Sequence, residues 1–116
     1  YMKHTATVQV TKQEWEAIQA SLRVDLREDT EGYDEELINK YDLRAGTNPA
    51  TYVFKFEDGR EIIMDWYVEE FGGAINWYDD GVGDTLTGDV FCLNQDESWN
   101  NEDGDIYTCH FEIIEE

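Results

Sequence analysis

The sequence predicts an α+β fold, a single acidic domain over residues 1–116 in which two helices pack on one face of an antiparallel β-sheet. Three observations carry that expectation. Apolar residues recur at helical spacing in two segments between residues 11 and 43, and from Thr51 onward they alternate with polar ones. A length of 116 residues suits one core rather than two. With 41% hydrophobic and 14% aromatic residues, the chain can fill that core despite a mean hydropathy of −0.66.

Taken in order, Thr5–Val10 places Ala6, Val8 and Val10 on one side of a strand. Thr11 and Glu14 then have the spacing of a capping box, so a helix starts there, with Trp15, Ile18, Leu22 and Leu26 as its apolar stripe. A second, short helix is expected within Tyr33–Leu43, where Tyr33, Leu37, Ile38 and Tyr41 share a face and Asp34, Glu35 and Glu36 sit in the first turn. Gly46, Asn48 and Pro49 mark a loop. Tyr52, Phe54 and Phe56 lead through Asp58-Gly59, a type I′ signal, into Glu61–Glu69, with Ile62, Met64, Trp66 and Val68 on one face. Gly72-Gly73 interrupts, Ala74–Tyr78 resumes, and two further strands, Asp89–Asn94 and Asp105–Ile114, flank an acidic loop over Gln95–Gly104. The last strand turns Tyr107, Cys109, Phe111 and Ile113 to one side.

Charge is the strongest functional signal. Eight Lys and Arg stand against 28 Asp and Glu, a net of −20. All eight basic residues lie in residues 1–60 beside twelve acids, whereas residues 61–116 hold sixteen acids and no Lys or Arg. These acids interleave with Trp66, Tyr67, Phe71, Trp77, Tyr78, Phe91, Trp99, Tyr107 and Phe111, which sets them apart from a disordered acidic tail. Such a surface disfavours direct binding of nucleic acid, which needs cations to replace counterions, and of anionic membranes. There is no apolar run of transmembrane length and no leader-like stretch after Met2, so a cytoplasmic protein is expected, with Tyr1 the remnant of a tag.

Motifs for chemistry are sparse. His4 and His110 lie in no nucleophile or phosphate-loop pattern, and Gly81-Val82-Gly83 lacks the remainder of a dinucleotide fingerprint. No enzyme activity and no cofactor are expected. Cys92 and Cys109 are expected as buried free thiols; Cys109 and His110 fall on opposite faces of a strand, which argues against zinc. Asp79, Asp80 and Asp84, or Asp96, Ser98, Asn100, Glu102, Asp103 and Asp105, offer oxygen ligands for calcium, but neither set has the EF-hand order and no metal site is assigned. Acidity that serves only solubility or salt tolerance does not account for basic residues confined to one half.

Alternate residues of a strand lie about 6.7 Å apart, so Glu61, Asp65 and Glu69 can repeat a phosphate-like spacing. In length, fold class and its acid-only second half, the chain resembles the small bacterial DNA-mimic proteins, most of all the monomeric mimics that bind the histone-like nucleoid protein HU. The resemblance is one of charge pattern over the whole chain and transfers no binding residue by position. It implies a monomeric, non-enzymatic protein that occupies the DNA-binding surface of a basic partner, with HU the leading candidate and restriction, CRISPR and repressor proteins the others. The carboxylates expected to meet that partner are Asp65, Glu69, Glu70, Asp79, Asp80, Asp84, Asp89, Asp96, Glu97, Glu102, Asp103 and Asp105. The alternatives are an acidic immunity or inhibitor protein that neutralises a basic toxin or nuclease, and a calcium-binding module.

Overall fold

The computed structural model describes residues 2–79 and 93–115, together with the main chain of 86–88. It is a single α+β domain. Its strands form two sheets rather than the one expected from the sequence. In chain order the elements are β1 (Lys3–Thr11), α1 (Lys12–Ser21), α2 (Glu35–Tyr41), β2 (Thr47–Lys55), β3 (Glu61–Glu69), β4 (Gly72–Asp79), β5 (Leu86–Gly88), β6 (Asp96–Asn100) and β7 (Ile106–Ile114). One sheet has the order β2-β3-β4-β5 and is antiparallel throughout. The other has the order β1-β7-β6, with β1 and β7 parallel.

Strand alternation decides what lies between the sheets. Phe54, Ile62, Met64, Trp66, Ile75 and Trp77 from the four-stranded sheet, with Phe56 just after β2, share one core with Ala6, Val10, Tyr107, Cys109 and Phe111 from the three-stranded sheet. Aromatic contacts cross the gap. The rings of Phe54 and Phe111 meet edge-on at 5.2 Å, as do those of Phe56 and Tyr107 at 5.1 Å. These pairs also fix direction: β2 runs opposite to β7, so β1, β3 and β7 all start at the same end of the sandwich.

The helices lie at the other end. Thr11 caps α1 as expected, its Oγ1 accepting the Glu14 amide proton while the Glu14 carboxylate accepts that of Thr11. The expected stripe is shortened, because α1 ends at Ser21 and Leu22 is its C-cap. Leu26 joins a smaller cluster instead, with Val24, Leu43 and Val68 and the α2 residues Leu37, Ile38 and Tyr41. The residues packed against this junction lie far away in sequence. Gly72 and Gly73 open β4 directly against Ser21 and Val24, where a Cβ on either glycine would overlap existing atoms.

Ser21, fully buried, locks this junction: its hydroxyl donates to the Ile18 carbonyl at 2.8 Å and accepts the Trp66 indole N–H at 2.8 Å. Ser21→Ala leaves the buried indole donor without a partner and is expected to cost about 1–3 kcal/mol, measured by urea unfolding.

Two loops differ from expectation. Asp58-Gly59 is not a two-residue type I′ turn, since Asp58 does not take positive φ. Phe56 pairs with Arg60 and Gly59 alone is left-handed, at φ 89°, closing a three-residue loop. This keeps Phe56 pointing inward. Within the expected acidic loop, Asp96–Asn100 forms β6 on β7 and inserts Trp99 beside the core, its ring stacked 5.6 Å from that of Tyr107. Of the expected strand Asp89–Asn94, residues 89–92 lie outside the described residues, and Leu93 is a buried core residue outside any strand.

Candidate functional site

Carboxylates expected to form one surface are distributed to separate places. Asp79, Glu102, Asp103 and Asp105 gather at the end where β1, β3 and β7 begin, because Asp79 ends β4 and the other three lie in the turn that leads into β7. Glu69 and Glu70 lie at the opposite end, Glu69 closing β3 and Glu70 in the β3–β4 turn, both exposed. Asp65 sits mid-sheet and is tied down. It accepts from the Thr51 hydroxyl at 2.7 Å and the Tyr78 hydroxyl at 3.1 Å. The Glu61–Asp65–Glu69 column is further interrupted by Ile63 and Tyr67, and Lys55 is the cross-strand partner of Glu61, so β3 presents no continuous phosphate-like track.

Asp96 and Glu97 start β6 and face opposite ways. Asp96 lies outward, 2.6 Å from the His110 ring, while Glu97 is half-buried on the inner side and accepts the Asn94 amide proton. Asp80, Asp84 and Asp89 lie outside the described residues, as do Cys92 and all of the first candidate calcium loop after Asp79. Cys109 is a fully buried free thiol, and burial pushes its pKa well above the ordinary thiol range.

The acidic end contains residues that sequence reasoning does not select. Asp58 is held by the Arg60 amide proton at 2.9 Å and the Tyr107 hydroxyl at 3.2 Å, with the His4 ring 3.8 Å away. His4 stacks on Tyr107, and the Arg60 guanidinium lies over the Tyr107 ring, 5.0 Å from its centroid. Arg60 also approaches Asp79 at 4.0 Å, and Asp79 Oδ1 is buried with no hydrogen-bond partner among the described residues. Glu57, Glu102 and Asp103 surround this cluster and are exposed to solvent. Asp58 is bonded to Arg60 and Tyr107, and Arg60 lies over the Tyr107 ring, which ties the β2–β3 turn to the start of β7.

The Arg60 amide hydrogen bond, followed by that from Tyr107, lowers the Asp58 pKa below the usual carboxylate value of 3.8. A depressed folded-state pKa contributes stability that is present above the unfolded-state pKa and lost as pH falls through the folded one. The melting-temperature advantage of the parent chain over Asp58→Asn is therefore expected to hold at about pH 6 and to shrink below about pH 4.

Counter-charges are few. Among the described residues, only Asp29, Asp42 and Asp79 have a Lys or Arg within ion-pair distance, and two of these pairs, Arg27–Asp29 and Arg44–Asp42, are local and exposed. A groove of about 500 Å³ between the helices is lined by Lys12, Gln13, Glu16, Lys40, Tyr41 and Glu115, with Tyr41 donating to Glu16. No group of three His, Cys, Asp or Glu side chains among the described residues is arranged to hold a metal ion. No described helix is long and apolar enough to cross a membrane. Comparison of the chain with protein-family models, curated proteins and solved structures finds no match in any of the three.

Proposed function

We propose that the protein is a DNA mimic, a non-enzymatic decoy whose carboxylates occupy the DNA-binding surface of a basic partner, with a histone-like nucleoid protein of the HU type the leading candidate. The observation that carries this reading is the shortage of counter-charge: a folded chain of net −20 leaves most of its described carboxylates without a Lys or Arg partner. The aromatic core supplies rigidity, so the carboxylates reach a partner already positioned.

The end formed by Glu57, Asp58, Asp79, Glu102, Asp103 and Asp105 is the proposed contact surface. Lys3 and Arg60 lie among these carboxylates, and at the opposite end the acids are mixed with Arg23, Arg27, Lys40 and Arg44. The molecule measures 47 × 31 × 20 Å, so its long axis exceeds one duplex turn of about 34–36 Å. Restriction, CRISPR and repressor proteins present the same kind of basic groove and are the other candidate partners.

An acidic inhibitor of a basic toxin or nuclease is the second reading, favoured by the lack of a continuous carboxylate track along β3. Displacement of a labelled duplex from HU tests both. A decoy releases the duplex as it binds, whereas an inhibitor that docks away from the groove forms a ternary complex with duplex retained.

A further inference from the structure

The ion pairs of the protein differ in kind. Arg27–Asp29 and Arg44–Asp42 join residues two apart, and all four side chains are well exposed. Arg60 reaches further. Its guanidinium stands 4.0 Å from Asp79, at the end of β4 in the four-stranded sheet, and lies over the ring of Tyr107, in β7 of the three-stranded sheet. Among the described residues, no other Lys or Arg has an ion pair or ring contact in both sheets.

These contacts sit amid carboxylates from three segments. Glu57 and Asp58 come from the β2–β3 turn, Asp79 from β4, and Glu102, Asp103 and Asp105 from the β6–β7 turn. Like charges gathered this way repel, and more strongly where burial lowers the local dielectric. Asp79 feels this most. Its side chain is only 20% exposed, and Oδ1 is buried with no hydrogen-bond partner among the described residues. Lys3 lies at the same end but has no described carboxylate within ion-pair distance, and His4, 3.8 Å from Asp58, supplies a cation only when protonated. Arg60 is thus the permanent counter-charge of this end.

We infer that Arg60 is a positioning residue of the contact surface, a cation turned inward that holds the carboxylate-bearing segments together against their mutual repulsion, so that they meet a basic partner as one array. This rests on the decoy reading and adds to it the residue that keeps the array in shape. Two effects of opposite sign follow from the charge of Arg60. A guanidinium repels a basic partner, but this one is paired with Asp79 and lies on a ring, so its field is largely cancelled nearby and screened beyond about 8–10 Å. Its restraint reaches further, because the Tyr107 ring beneath it also donates its hydroxyl to Asp58 at 3.2 Å. Without the guanidinium, Asp79 has no described cation within ion-pair distance and the β2–β3 turn loses its ring contact with β7. Positioning outweighs repulsion, so removing this cation makes the protein more acidic and yet a weaker ligand for a basic surface.

Isothermal titration of HU with the parent chain, Arg60→Gln and Arg60→Lys, repeated over a salt series, tests it. Arg60→Gln is expected to bind about fivefold more weakly than the parent and with a shallower salt dependence, since fewer charge pairs form at once. Arg60→Lys keeps a cation beside Asp79 and over the ring, and is expected to stay within about twofold of the parent. Backbone amide shifts of Arg60→Gln should change at the acidic end and leave the rest of the domain in place. Arg60→Gln binding as tightly as the parent, or more tightly with a steeper salt dependence, would overturn the inference while leaving the decoy reading intact. Equal loss in both variants would overturn it too, since the charge would then not be what positions the segments. Loss of the whole fold in Arg60→Gln would do the same, by making Arg60 a residue of the core. No binding of HU by the parent chain would end the decoy reading, and this inference with it.

Discussion

Replacing Glu57, Glu102 and Asp103 together with Lys is expected to weaken binding to the basic partner by about 100-fold while leaving the fold unchanged. All three are exposed and none of their carboxylates has a described hydrogen-bond or ion-pair partner, so nothing in the core depends on them. Converting them relieves like-charge repulsion, and the melting temperature is expected to hold or rise. The control is Glu28, Glu31 and Glu35 converted to Lys, which changes the net charge equally at the opposite end. Glu16 is unsuitable for that control, since it accepts a hydrogen bond from Tyr41 at 3.0 Å. Isothermal titration of both triple variants separates the possibilities. Equal loss would mean that total charge alone governs binding, and no loss in either would remove the acidic end as the contact surface.

The largest stability effect is expected at Gly72. Its φ of 106° is strained for any residue with a Cβ, and the added carbon would be driven into the carbonyl oxygens of Val24 and Ser21. Strain and overpacking together make Gly72→Ala cost about 3 kcal/mol or more, a large part of the total stability of a small domain. Gly59→Ala isolates the first contribution. Gly59 has φ 89° but nothing within 4 Å of the place its added methyl would take, so only the conformational cost applies, about 1–2 kcal/mol. Chemical denaturation of the two variants gives the difference directly, and equal losses would refute the close-packing role assigned to Gly72.

That contact explains where sequence reasoning stopped. The capping box marked the start of α1 because its partners are three residues apart, but the end at Ser21 packs against Gly72 and Gly73, far along the chain. Alternation identified the buried faces of β3 and β7 because burial of one sheet face has a period of two. It had no means of revealing that β1 pairs parallel with β7 near the other end of the chain, or that the strands divide into two sheets. β6 read as a loop because Asp, Glu, Ser and Asn are poor strand formers. Pairing to β7 and the packing of Trp99 override that preference.

The acidic surface was legible only as a total. Counting showed the excess and its concentration in the second half, but the grouping of carboxylates depends on which turns meet. Asp58 reads as a turn residue in the mixed-charge half, yet its loop packs against Tyr107 and joins the acidic end. Adjacent Asp96 and Glu97 look like a pair in the sequence and are separated by the pleat.

Displacement of a labelled duplex from HU, followed across a salt series, tests the central claim most directly. The decoy account predicts that the protein releases the duplex in full at low salt and that its own affinity for HU falls steeply as salt rises, since charge pairs dominate the contact. Binding that is insensitive to salt, or a ternary complex in which the duplex stays bound, would contradict it.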